Sequence, residues 1–177
     1  YHWPVMFFLA VSFWNLVGAG LFGFIINPPI SLYYIQGLNT TANHAHGSLF
    51  GVYGLLGIAL MLFCMRGMSR HSAWQDKLLA PAFWLLNIGL VGMTFFALLP
   101  AGIYQAWASI TEGYWYARSP EVIHSFWMEA FVWLRVPGDI LFGIGGLFLA
   151  LFTLKLWLGS RAHQSQGGSM AGLDSKK

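Results

Sequence analysis

The 177 residues include only nine Lys and Arg and six Asp and Glu, so charged side chains make up 8% of the chain, while hydrophobic residues make up 57% and aromatics 18%. An ordinary soluble domain is about 25% charged, and so few charges cannot cover a surface around this many Phe, Trp, Leu and Ile side chains. A free soluble globule, a disordered chain and a nucleic-acid binder are excluded, because the net charge of +3 is scattered over loops and a tail and forms no basic face. The single cysteine, Cys64, excludes an intrachain disulfide framework and a cysteine-rich metal site. What remains is an integral membrane protein.

In chain order, the first apolar run is Trp3–Ile26, closed by Asn27, Pro28 and Pro29. The second runs from Ala45 to Met65, the third from Leu78 to Ser109, and the fourth from Val136 to Leu158 with Asp139 and Lys155 near its ends. About 20 apolar residues cross a bilayer as a helix, and barrel strands would be half as long and alternate. The expected fold is therefore all-α integral membrane, with four transmembrane helices over about 3–27, 44–66, 78–108 and 134–158. Pro100 is expected to kink the third or mark its outer end.

The loops set an expected orientation, because excess Lys and Arg marks the cytoplasmic side. Arg66, Arg70 and Lys77 stand against Asp76 between the second and third spans; Arg161, Lys176 and Lys177 stand against Asp174 after the fourth. The 66–77 loop and the C-terminus are expected inside, and the 27–43 and 110–130 segments outside. Residues 159–177, polar and rich in Gly and Ser, read as an irregular cytoplasmic tail. Tyr1, His2 and Trp3 carry neither an initiator Met nor a secretory signal, so the chain reads as a piece of something larger.

The chemistry centres on Asn43-His44-Ala45-His46-Gly47, at the outer end of the second span. Ionisable residues at membrane depth are candidates for function. On an α-helix, positions i and i+2 lie about 200° apart. The two imidazoles therefore face opposite ways and cannot chelate one ion; they can each hold a different metal. Gly47, Gly51 and Gly54 follow on or near the His44 face, and a stripe without side chains would admit a flat macrocycle. Phe50, Tyr53 and Gly57 lie below His46. The competing reading is plain: Gly47 and Gly51 form a GxxxG, which also serves ordinary helix–helix packing.

His-x-His at the outer end of a helix resembles the metal-binding helix of the haem–copper oxidase superfamily. Asn43 through Gly54 (NHAHGSLFGVYG), with Trp107 through Arg118 (WASITEGYWYAR) and Leu134 through Asp139 (LRVPGD), resembles the C-terminal end of the quinol-dependent nitric oxide reductases. The resemblance covers residues 1 to about 158. It implies one part of a larger haem–copper-oxidase-like bundle that reduces nitric oxide to nitrous oxide with electrons from quinol. It implies that His44 ligates a high-spin haem b at the catalytic centre and His46 a low-spin haem b. A non-haem iron would have its ligands outside this chain. The implied partners are the remainder of the same catalytic subunit, quinol, nitric oxide and the lipid bilayer, with a homodimer as an open assembly. The implied place is a bacterial inner (cytoplasmic) membrane, multi-pass, with the haem side toward the periplasm.

Asp139 is the next candidate. Beside Pro137 and Gly138, and four residues after Arg135, it reads either as an ion-pair partner at a helix start or as the proton acceptor of a quinol. In the family it resembles, an aspartate here belongs to the quinol pocket. Asn15 and Asn87 read as interhelical hydrogen-bonding groups. Trp107, Trp115, Trp127 and Trp133 read as an interfacial belt. His2, His71, His124 and His163 read as solvated or interfacial. Three alternatives stay open: a haem–copper oxygen reductase subunit, a non-catalytic haem-anchoring electron-transfer subunit, and a haem-free transporter or assembly bundle.

Overall fold

The computed structural model describes residues 1–69, 74 and 76–174, with side chains through residue 159. Among the described residues there is no strand, and the helices follow one another as α1 His2–Ile26, α2 Pro29–Ile35, α3 Asn39–Met68, α4 Asp76–Thr111, α5 Pro120–Ile123 and α6 Phe126–Asp174, with a 3-10 turn at Tyr116–Arg118 before α5. Four of them are long and apolar enough to span a bilayer: α1, α3, α4 and the Phe126–Gly159 part of α6. Arg70 and His71 lie outside the described residues, as does the side chain of His163.

Helices α3 and α6 begin earlier than an apolar-run count suggests, at Asn39 and Phe126. Hydropathy counts only lipid-compatible residues, but a helix continues through polar ones when its backbone groups find partners. Gln105 supplies one. Its Oε1 accepts from the Asn39 backbone N–H at 3.0 Å and from Asn39 Nδ2 at 2.8 Å. This satisfies donors that an isolated helix start would leave open. The early start of α6 also moves Asp139: it sits inside a continuous helix and not at a helix start. Beyond Gly159, α6 stays helical to Asp174, where an irregular tail is expected from the sequence. Propagating an existing helix costs little beside nucleating one.

Pro100 does not end the third span, because α4 continues to Thr111. A proline ring clashes with the carbonyl four residues back. Residues Gly92–Leu98 directly before it are π-helical, and this wider turn takes up the mismatch. Similar π-helical stretches occupy Asn15–Leu21 in α1 and His46–Gly54 in α3.

The four long helices pack in two close pairs through glycines. Helix α1 meets α3 where a Cβ on Gly18 would lie 2.7 Å from the Gly47 backbone. Helix α4 meets α6 where a Cβ on Gly89 would lie 2.5 Å from the Phe142 nitrogen and one on Gly145 2.7 Å from the Leu86 nitrogen. In lipid, where burial of apolar surface gives no advantage between helices, close backbone approach is a main source of association. The pairs join through a core of Phe7, Trp14, Leu55, Leu62, Leu90 and Phe152. Trp14 Nε1 donates to Asn87 Oδ1 at 3.1 Å, so Asn87 bonds across helices as expected. Asn15 is exposed.

A second core caps the end that carries the histidines. Ile35 and Leu38 meet Ala101, Ala108, Ala117, Val122 and Met128. Gly37, at φ 72°, makes the left-handed turn between α2 and α3 that an L side chain resists. Ser109 Oγ donates to the Tyr34 carbonyl at 2.6 Å. Arg118 donates to the carbonyls of Tyr114 and Gln36 while its guanidinium stacks on the Tyr114 ring. These bonds tie the 27–38 and 112–125 connections to one another and to α4. Trp107, Trp115, Trp127 and Trp133 are all exposed around this cap.

Candidate functional site

His44 and His46 stand half-buried at the junction of ordinary α-helix and the π-helical stretch of α3. Their rings meet different neighbours. His44 turns to α1: its Nδ1 is 2.9 Å from the Gly18 carbonyl, and a Cβ on Gly23 would lie 3.0 Å from its Cε1. His46 turns to α6: its Nε2 is 3.1 Å from Arg135 Nη2, and the ring neighbours Phe50, which in turn meets Phe142. The residue between them, Ala45, separates two sites on two sides of one helix.

The hydrogen bonds fix the tautomers. A backbone carbonyl only accepts, so Nδ1 of His44 carries a proton and donates to Gly18. Nδ1 of His46 donates in the same way to the Ala42 carbonyl at 2.8 Å. Arg135 only donates, so Nε2 of His46 is the accepting nitrogen. Both rings thus have Nδ1–H anchored on backbone, and in His46 the lone pair lies on Nε2. That is the arrangement by which a protein orients an imidazole for a metal: the second nitrogen sets tautomer and ring direction. The donor set fits haem iron, and each imidazole could hold a separate haem on its own side of the helix. Among the described residues, no three His, Cys, Asp or Glu side chains converge on one point.

The glycines behave differently from the expected open stripe. Gly47 is filled by the backbone of α1, and a Cβ on Gly51 would lie 2.5 Å from the Trp14 ring. The GxxxG on the His44 side is therefore a helix-packing device. Open space stands instead at Gly57 in α3 and at Gly143 and Gly146 in α6, where an added Cβ meets nothing within 4 Å. On the His46 side Phe50 and Tyr53 are exposed as well.

Asp139 is exposed and paired. Arg135 Nε donates to its two carboxylate oxygens at 3.2 and 3.1 Å, one helical turn apart on α6. The ion pair read from the i,i+4 spacing is present. Its extension to His46 is not visible in the sequence, because 89 residues separate Arg135 from His46. Arg135 thus joins Asp139 and His46 into one chain of contacts. Glu112, Glu121, Glu129, His2 and His124 are exposed and stand apart from it. Sequence reasoning also misses Gly18, whose only hint is the run of small residues Gly18-Ala19-Gly20 inside the first span.

The chain is 28% identical, over 147 residues and 77% of its length, to a nitric oxide reductase subunit of Stutzerimonas stutzeri. It spans 31% of the length of that relative. Residues 1–141 match the family described as Cytochrome C and Quinol oxidase polypeptide I, with both histidines and Asp139 inside the match. The match over most of the chain, with which the four spans agree, decides the family: the protein belongs to the cytochrome c and quinol oxidase polypeptide I family of the haem–copper oxidases.

Proposed function

We infer that this chain is the C-terminal four-span part of a quinol-dependent nitric oxide reductase, and that it supplies one axial histidine to each of two haems b. The observation that carries the reading is the pair of imidazoles on opposite sides of α3, each anchored at Nδ1. The similarity to the nitric oxide reductase of Stutzerimonas stutzeri supports it and favours nitric oxide over oxygen as substrate. The overall reaction joins two nitric oxide molecules with two electrons and two protons to give nitrous oxide and water. The remainder of the subunit would supply the non-haem iron site and the second axial ligand of the low-spin haem.

Within this chain the roles divide. His44 would hold the high-spin haem and faces α1; the Gly18 carbonyl accepts from its Nδ1–H and leaves Nε2 as the ligating nitrogen. His46 would hold the low-spin haem, which would supply the entry point for electrons. Asp139 would accept a proton as quinol is oxidised, which an exposed carboxylate can do. A bound haem supplies the one-electron redox centre, and the protein tunes it through the axial ligand, hydrogen bonding and the surrounding dielectric.

The test uses the full-length subunit in membranes. His46→Ala should abolish the six-coordinate low-spin spectrum and block electron entry from quinol. His44→Ala should keep that spectrum, lose the high-spin haem and stop nitric oxide turnover while quinol still reduces the remaining haem. Full haem content and activity in either variant refutes the assignment; exchanged phenotypes refute only the order of the two ligands. An oxygen reductase would consume oxygen in the same membranes and leave nitric oxide untouched.

The inferred place is a bacterial inner membrane with the histidine end toward the periplasm, from the loop charges. A cysteine introduced near Thr111 should react with an impermeant reagent added from the periplasmic side, and one near His71 should be spared. The reverse pattern turns the molecule over.

A further inference from the structure

We propose that Arg135 competes with haem iron for the lone pair of His46 and so sets how tightly the low-spin site takes haem. The proposal rests on the reading of His46 as an axial ligand. Nε2 of a neutral imidazole has one lone pair, and the tautomer here puts it on the nitrogen facing Arg135 Nη2 at 3.1 Å. A guanidinium hydrogen bond and an iron bond cannot share it. Iron binding therefore requires that this contact open. A bond from a charged donor is among the stronger ones, so its loss subtracts measurably from haem affinity.

Arg135 is placed to let go without being stranded. Its Nε remains bonded to Asp139 one turn along α6, and its side chain is 37% exposed. When Nη2 leaves His46, the charge still has a carboxylate and solvent or headgroups beside it. Asp139 then tethers the guanidinium next to the site, in addition to any part it plays toward quinol. The helix spacing makes the pairing with Asp139 local, while the contact with His46 depends on α6 lying beside α3. Haem retention at the low-spin site therefore becomes sensitive to a residue 89 positions from the ligand.

The experiment is haemin uptake by the full-length subunit, produced in haem-deficient cells and kept in its membranes. The low-spin and high-spin bands are followed separately. Arg135→Met combined with Asp139→Asn removes the competitor without leaving an unpaired carboxylate. Arg135→Gln combined with Asp139→Asn does so while keeping both positions polar. The variant that retains the high-spin haem at the wild-type level is the informative one. Half-saturation of its low-spin band should fall about tenfold, the effect of one charge-assisted hydrogen bond on an equilibrium, with the high-spin titration unmoved. An unchanged or weaker low-spin titration overturns the competition. So does a parallel change in both bands, which marks a general effect on the fold. A low-spin band that survives His46→Ala in the same assay removes the underlying ligand assignment instead, so the two failures are told apart.

Discussion

The two sides of α3 are built from different materials. On the His44 side, backbone meets backbone: Gly18 lies against Gly47, the Gly18 carbonyl accepts from His44 Nδ1–H, and Trp14 closes over Gly51. On the His46 side, the helix face is partly open, with Phe50 and Tyr53 exposed, and the neighbour is a charged side chain held by another. A backbone acceptor locked between glycines has one geometry and no side chain to move. A guanidinium on a flexible stem has several. On the proposed assignment, a rigid high-spin site that fails through packing should therefore stand beside an adaptable low-spin site that fails through chemistry.

The largest effect should come from forcing α1 away from α3. Gly47→Leu puts a side chain where even a Cβ would lie 2.6 Å from the Gly18 Cα. Overpacking of this kind costs about 1–3 kcal/mol or more, and here it also pulls the Gly18 carbonyl from His44. Both haems should be lost or strongly reduced, and the thermal midpoint of the detergent-solubilised protein should fall. Gly57→Leu is the control, since a Cβ there meets nothing within 4 Å. Equal damage from the two substitutions would show that filled and open glycine positions are energetically alike.

A smaller effect is expected one layer further in. Asn87 accepts from Trp14 Nε1 and donates its own amide to the Phe83 carbonyl at 2.8 Å, linking α4 to α1 beneath Gly51. Asn87→Leu removes the interhelical bond at nearly constant volume. Side-chain bonds across helices in membranes average about 0.6 kcal/mol, so chemical unfolding should shift slightly. The high-spin haem should respond before the low-spin one, because Trp14 backs the His44 side. A larger loss at the low-spin haem would contradict the division of the two sides.

The features legible in the sequence are those fixed by local pattern. Four charge-poor runs specify four spans, because the cost of burying charge in lipid acts on each residue separately. The i,i+2 spacing places His44 and His46 on opposite faces for the same local reason. The i,i+4 spacing pairs Arg135 with Asp139. What escapes depends on which helix lies beside which. The Gly47–Gly51 stripe reads equally as a cofactor cradle or a packing surface, and only the position of α1 decides for packing. The partners of the histidines, the Gly18 carbonyl and Arg135, come from other helices and leave no periodic mark. The early start of α3 rests on Gln105, 66 positions from Asn39. Pro100 fails to end its helix because a π-helical stretch precedes it, and no composition rule announces such a stretch.

The smallest expected effect on stability comes from the most conspicuous charges. Arg135 and Asp139 form an ion pair with side chains 37% and 44% exposed, and exposed pairs at this spacing contribute at most about 1 kcal/mol. Asp139→Asn should therefore leave folding and both haem spectra close to wild type. On the proposed role of Asp139, quinol oxidation should nonetheless slow, because the substitution would remove the proton acceptor while keeping the shape. Nitric oxide reduction driven by an artificial donor that bypasses quinol should continue. The ratio of quinol-driven to donor-driven turnover is the quantity to measure, since it cancels differences in expression and haem content. A fall in both rates together, accompanied by loss of folded protein, would make Asp139 a structural partner of Arg135 and nothing more. A fall in the ratio alone would place the adaptable side of α3 at the point where electrons and protons enter.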